Sequence, residues 1–199
     1  MYIGIIGAGN IGGAIATRAA RSGINVLLSN SRGPESLGSI VASIGPGAKA
    51  ATREEASQAD IVVIAVPWSR IPAAVAGLDF MNRIVIDATN PIEAPDFRVA
   101  DLGGRTSSEI VADLVPGAFL VKAFNTLTPE LLLAETPPGG RRTIFLSSDH
   151  QEAKTQVSLL LDRMGFTPID MGGLVDGGIK HQFPGGPLAA KYLVRFPMN

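Results

Sequence analysis

The chain has no cysteine and only two histidines in 199 residues. The first absence excludes a disulfide framework and a thiolate metal site, and it suits a reducing compartment. The second, with His150 and His181 far apart in sequence, argues against a histidine-based metal centre. Charge is also scarce: 18% of residues are charged and the formal net charge is −1. That balance gives no electrostatic footprint for nucleic acid or an anionic membrane. Long hydrophobic runs are missing. The first apolar stretch, Tyr2–Ile6, is short and contains a glycine, so it reads as neither signal peptide nor membrane span. No Ser-His-Asp set, paired carboxylates or metal-ligand cluster calls for hydrolytic chemistry. What is plentiful is apolar residue, 46% of the chain, enough for one good core with a small second lobe. The expectation is a cytoplasmic protein with a small-molecule partner, no nucleic acid and no membrane.

The most informative segment is Tyr2-Ile-Gly-Ile-Ile-Gly7-Ala-Gly9-Asn-Ile-Gly12-Gly13. A short apolar strand runs into Gly-x-Gly-x-x-Gly and then into a helix-like stretch ending at Ser22. Gly7 lets the chain turn tightly, Gly9 lets backbone approach a pyrophosphate, and Gly12 lets the helix pack on the sheet. Free N–H groups and the positive end of that helix then face the phosphates. Glycine-rich turns are common, but here a strand precedes, a helix follows and a second strand (Asn25–Leu28) arrives on schedule. The reading is a dinucleotide site.

At the end of that second strand, NAD-selective sites place an Asp or Glu for the ribose 2′-OH. This chain reads Ser29-Asn30-Ser31-Arg32-Gly33-Pro34 there. Short hydrogen-bonding side chains and one guanidinium suit a 2′-phosphate, and no carboxylate repels it. The alternative is an ordinary polar turn with Arg32 as a solvated charge. Because the glycine motif sets the register, the phosphate reading is preferred and the cofactor is expected to be NADP(H).

Strand and helix alternate for most of the length, which means a parallel sheet flanked by helices: α/β, of the Rossmann doubly wound type. Asp60–Val66 and Arg83–Asp87 read as buried central strands, because branched apolar residues run on without alternation. Phe119–Phe124 is a further strand. After Asn125 the texture changes. Thr143–Leu146 and Thr167–Asp170 read as strands flanking the amphipathic helix Gln151–Met164, whose apolar face is Ala153, Val157, Leu160, Leu161 and Met164. Met171–Pro187 is glycine-rich and irregular, and Leu188–Arg195 is expected to be helical. Residues 1–125 are therefore read as the nucleotide-binding domain and 126–199 as a smaller C-terminal lobe.

Ligands of open parallel sheets bind beyond the carboxyl ends of the strands. Three turns qualify: Ala65-Val66-Pro67-Trp68, Asp87-Ala-Thr89-Asn90-Pro91 and Lys122-Ala-Phe124-Asn125-Thr126. Each has a plain alternative. Val66-Pro67 stops a strand, Asn90-Pro91 makes a turn, Lys122 is an edge residue with its head in water, and Asn125 caps a helix. As a set, Ala65, Val66, Pro67, Asn90, Lys122 and Asn125 are read as the wall at the nicotinamide ribose, with Asn125 the candidate catalytic group. His181 reads either as a proton donor or, more commonly for a loop, as a solvent-exposed histidine. His150 reads as surface, Met164 and Met171 as core fillers, and Arg141-Arg142 as a solvated pair.

With these residues placed, the chain resembles the NADPH-dependent oxidoreductases of the deazaflavin coenzyme F420 and the small reductases around them. Four elements carry the likeness nearly end to end: Ile5-Ile-Gly-Ala-Gly-Asn-Ile-Gly12, Ser29-Asn-Ser-Arg32, Val121-Lys-Ala-Phe-Asn-Thr126 and Gly186-Pro-Leu-Ala-Ala-Lys-Tyr-Leu193. The third is the most distinctive, and it is also similar to the reductase domain of STEAP metalloreductases. The resemblance implies NADP(H) exchanging hydride with a planar heterocycle, coenzyme F420 or a flavin, and it implies a homodimer. Such transfer needs proximity and orientation rather than a nucleophile. By the same resemblance Gly7, Gly9, Asn10, Ile11 and Gly12 hold the pyrophosphate, and Ser29, Ser31 and Arg32 hold the 2′-phosphate. Val66, Pro67 and Asn125 line the nicotinamide end. One departure is that the sequence ends at Phe196-Pro-Met-Asn199, where the deazaflavin enzymes continue through a longer terminal helix. Two other functions stay open here: a non-catalytic NADP(H)-binding redox sensor, and a STEAP-like electron donor to flavin and iron.

Overall fold

The computed structural model describes residues 1–93 and 95–197. β1 (Tyr2–Ile6), β2 (Asn25–Ser29), β3 (Ala48–Ala50), β4 (Ile61–Ile64), β5 (Ile84–Asp87) and β8 (Phe119–Ala123) form a parallel sheet in the order β3-β2-β1-β4-β5-β8. The order reverses between β1 and β4, which opens a crevice at the carboxyl ends of those strands. Period-two alternation explains why both faces of this sheet are dry. Ile61 and Val63 of β4 face one hydrophobic cluster with α1 (Asn10–Arg21), while Val62 and Ile64 face a second cluster. The second cluster takes in Ala56 of α3 (Arg53–Ser57), Ile71 and Val75 of α4 (Ile71–Val75), and Val111 of α5 (Ser107–Leu114).

Local chemistry starts these helices where the site needs them. Thr52 and Thr106 form reciprocal capping boxes with Glu55 and Glu109 at the heads of α3 and α5, each satisfying two otherwise unpaired N–H donors. Thr128 caps α6 (Pro129–Leu133), with Pro129 in the first turn, which removes the alternative reading of Asn125 as that helix's cap.

The residues expected to form a separate lobe add to the same sheet. β9 (Arg141–Ser147) pairs antiparallel with β8, and β10 (Thr167–Asp170) pairs parallel with β9. The helix between them, α7 (Gln151–Arg163), buries Ala153, Val157, Leu160 and Leu161 against the α1 side of the core, as its periodicity predicts. The expected helix at Leu188–Arg195 is absent. The backbone takes a left-handed turn at Ala190 (φ 55°), and β11 (Val194–Arg195) pairs antiparallel with Arg141 and Arg142. An edge of β9 offering ladder partners outcompetes a helix too short to sustain itself. A small antiparallel pair, β6 (Ile92–Glu93) and β7 (Arg98–Val99), stands apart from the main sheet.

Candidate functional site

A cleft of about 950 Å³ opens at the switch point, of a size that suits a dinucleotide or similar ligand. It is lined by Gly7 and Gly9 after β1, Ser29–Pro34 after β2, Thr52–Glu54 before and within α3, and Ala65–Pro67, Arg70, Ala73 and Ala74 after β4. Gly7 has φ 117°, and a Cβ there would lie 2.3 Å from the Ala65 carbonyl oxygen. A Cβ on Gly12 would lie 1.8 Å from the Gly7 oxygen, so those two positions admit only glycine for packing reasons. Gly9 differs, because a Cβ there meets nothing within 4 Å. The space beside it belongs to the cleft, so here the missing side chain leaves a cradle next to the α1 N-terminus. No acidic residue occupies the first turn of α1, which leaves the positive helix end open to an anion. Asn10 is exposed and Ile11 half-buried in that first turn.

The loop after β2 divides its labour. Ser29 is fully buried and its hydroxyl donates to the Ile5 carbonyl at 3.0 Å. That proton is therefore committed to the β1–β2 junction. Asn30 Oδ1 accepts from the Arg32 backbone N–H at 2.9 Å, and Asn30 Nδ2 donates to Ser36 Oγ at 2.8 Å, an Asx turn that shapes the loop. Ser31 and Arg32 are the exposed members. Two further cations of the cleft, Arg53 and Arg70, went unread in the sequence. Their positions carry a sequence signal: Arg53 stands after β3 and Arg70 after β4, at strand ends like the other turns that line the cleft. Arg53 pairs with Glu54 (Nε to Oε1, 2.9 Å) and donates to the Ala73 carbonyl at 2.9 Å.

The other expected residues gather in a buried network beside the cleft rather than in its lining. Lys122 is not an edge residue. Its ammonium is fully buried, 2.9 Å from Asp87 Oδ2 and 2.5 Å from the Thr89 carbonyl oxygen. These bonds withhold it from a ligand. Phe124 then takes a left-handed backbone (φ 65°) with its ring against Phe166. Phenylalanine rarely adopts this conformation outside over-determined sites. Asn125 follows, and its Nδ2 donates to Asn90 Oδ1 (3.1 Å) and to the His181 carbonyl (2.7 Å). Asn90 Nδ2 donates back to the Asn125 carbonyl at 2.7 Å, and Asn90 Oδ1 accepts from the Phe183 backbone N–H at 3.0 Å.

His181 closes the network. It lies in a short helix, α8 (Gly178–His181), and is fully buried, contrary to the exposed-loop expectation. Its Nδ1 faces Asn125 Oδ1 at 3.0 Å and its Nε2 faces Ser147 Oγ at 2.9 Å. Because both Asn125 Nδ2 protons are engaged, Nδ1 must carry the imidazole proton and Nε2 must accept from Ser147. Burial, and secondarily the Lys122 charge, push the His181 pKa down to about 3. The imidazole is neutral near neutral pH, which suits a structural latch and not a proton donor.

Among the described residues, no group of three or more His, Asp or Glu is placed to hold a metal, and no helix is long and apolar enough to cross a membrane. Residues 2–91 match the family described as NADP oxidoreductase, coenzyme F420-dependent. Residues 2–91 carry this family's domain. Rat metalloreductase STEAP3 is 32% identical over 174 residues, covering 86% of this chain and 34% of that protein. The chain thus spans about a third of the length of the curated relatives it matches. A hypothetical protein of Sinorhizobium meliloti is 46% identical with a TM-score of 0.91, covering 98% of this chain and 95% of that one. A protein of Arthrobacter sp. FB24, inferred to be an F420-dependent NADP-reductase, shares the fold at a TM-score of 0.71 and 23% identity, over 86% of this chain and 85% of that one. The match groups residues 2–91 with NADP oxidoreductases, on a mainly parallel, Rossmann-like sheet.

Proposed function

We propose that this protein oxidises NADPH and passes the hydride to a planar heterocyclic acceptor, coenzyme F420 first and a flavin second. One observation carries the cofactor half. The loop after β2 offers exposed Ser31 and Arg32 to the cleft where NAD-selective sites carry a carboxylate. Gly7, Gly9, Asn10, Ile11 and Gly12 present the turn and helix N-terminus to the pyrophosphate. Ser31 and Arg32 hold the 2′-phosphate, while Ser29 and Asn30 fix the loop that presents them. Ala65, Val66 and Pro67 lead toward the nicotinamide. Asn90 and Asn125, tied to His181, frame the acceptor side.

NADPH supplies the hydride when bound. The chain's own contribution is to align donor and acceptor and exclude water, which general physics allows without any ionisable catalyst. The test is NADPH oxidation followed at its near-ultraviolet absorbance against deazaflavin, FMN, FAD and quinone acceptors, with NADH in parallel. Turnover with deazaflavin or FMN on NADPH is the expected result. Equal use of NADH would overturn the cofactor assignment, and turnover with quinones alone would overturn the acceptor.

A further inference from the structure

Three arginines line the cleft, and among the described residues two of them have no side-chain partner. Arg53 is neutralised by Glu54 and braced on the Ala73 carbonyl, so it acts as a tie between α3 and α4. Arg32 and Arg70 are exposed, and among the described residues neither has a carboxylate partner or a side-chain hydrogen bond. They enter from different loops. Arg32 follows β2, and Arg70 ends the single turn Trp68–Arg70 that follows β4. Those strands flank β1 on either side, so the two arginines join the cleft lining from loops on opposite sides of β1.

Two unpaired cations sharing a concave site repel each other unless an anion of matching charge joins them. A phosphate monoester carries about −1.5 to −2 near neutral pH, more than one guanidinium neutralises. The pyrophosphate has its own site at the α1 N-terminus, beside Gly9. We propose that Arg70 is a second specificity-determining residue, pairing with the cofactor's 2′-phosphate together with Arg32. NADPH preference is then divided between the loops after β2 and β4. This inference rests on the NADP(H) reading above.

The test measures binding of 2′,5′-ADP, 5′-ADP, NADPH and NADH to the full chain and to Arg70→Ala, Arg70→Lys and Arg32→Ala, by titration calorimetry at low and moderate salt. Arg70→Ala should weaken 2′,5′-ADP and NADPH about tenfold, as for loss of one charge-assisted contact, while 5′-ADP and NADH stay within about twofold. Arg70→Lys should recover part of the loss, and the wild-type advantage for 2′,5′-ADP should shrink as salt rises. Equal weakening of 5′-ADP and NADH would mean an adenine or pyrophosphate contact and overturn the proposal. So would an Arg70→Ala variant that discriminates like wild type. If wild type itself binds 5′-ADP as tightly as 2′,5′-ADP and Arg32→Ala changes nothing, the NADP(H) reading has failed and Arg70 falls with it.

Discussion

Lys122 and Arg142 are buried cations in the adjoining strands β8 and β9, yet their surroundings give them opposite signs. Lys122 is fully buried on Asp87, Thr89 and Ser107. Lys122→Met leaves the Asp87 carboxylate buried without its counter-charge and should cost about 3–5 kcal/mol. Arg142 is 8% exposed, and its Nε has no hydrogen-bond partner among the described residues. Its charge also acts unfavourably on Arg18. Arg142→Met keeps the stem's packing while removing an orphaned donor, so its effect should run from neutral to about 1 kcal/mol stabilising. Urea midpoints of the two variants check both signs, and an Arg142→Met variant much weaker than wild type would mean the guanidinium has an anion to bind. At the cleft, Arg32→Ala should lose most of the preference for NADPH over NADH in a KM comparison. Preference carried through unchanged would remove the 2′-phosphate from this loop. Residue identity made Arg32 legible, because the glycine motif fixes where the β2 loop falls. It could not separate Lys122 from a surface lysine, since the partner Asp87 is remote in sequence and adjacent only through the β5–β8 register.

Element by element, the parallel strands were legible because burial on both faces leaves an unbroken branched run such as Ile61–Ile64. The segment 171–187 was not, because its order comes from partners elsewhere. His181 bonds Asn125 and Ser147, Gln182 accepts from the Ser107 N–H, and Phe183 donates to Asn90. No local periodicity records contacts of that kind. The latch predicts an acid-side weakness. His181 titrates at about 3 in the folded protein and near 6.5 when unfolded. The depressed value means that the unfolded chain alone takes up this proton as pH falls through 6.5 toward 3. Stability contributed by the neutral imidazole is present above that window and declines within it, by up to ~1.4 kcal/mol per pH unit. His181→Asn keeps a donor toward Asn125 but cannot titrate. It should be less stable at neutral pH and show a shallower slope between pH 6 and about 4. Parallel slopes in chemical denaturation of the two proteins would place the titration elsewhere.

For the whole molecule, the decisive feature is a sheet that does not stop at the expected boundary. Ser147 of β9 pairs with Lys122 of β8, Phe166 packs edge-on to Phe124 at 6.1 Å, and α7 joins the core that α1 covers. The sequence change after Asn125 was real, but it marks the switch from parallel to antiparallel addition and not the end of a core. A fragment of residues 1–125 would expose Phe124 and the flank of β8, where Lys122 now pairs with Ser147 of β9. Loss of that burial exceeds what a domain of this size can absorb, since total stabilities are only about 5–15 kcal/mol. The fragment should therefore fail to give a cooperative urea transition by circular dichroism, while residues 1–199 unfold in a single step with coincident tryptophan-fluorescence and circular-dichroism midpoints. A fragment that unfolds cooperatively on its own would restore the two-unit division and make the C-terminal strands an add-on. Cooperative loss would mean instead that the His181 latch and the cleft stand or fall together, so mutations around Ser147 and His181 would reach ligand binding through stability alone.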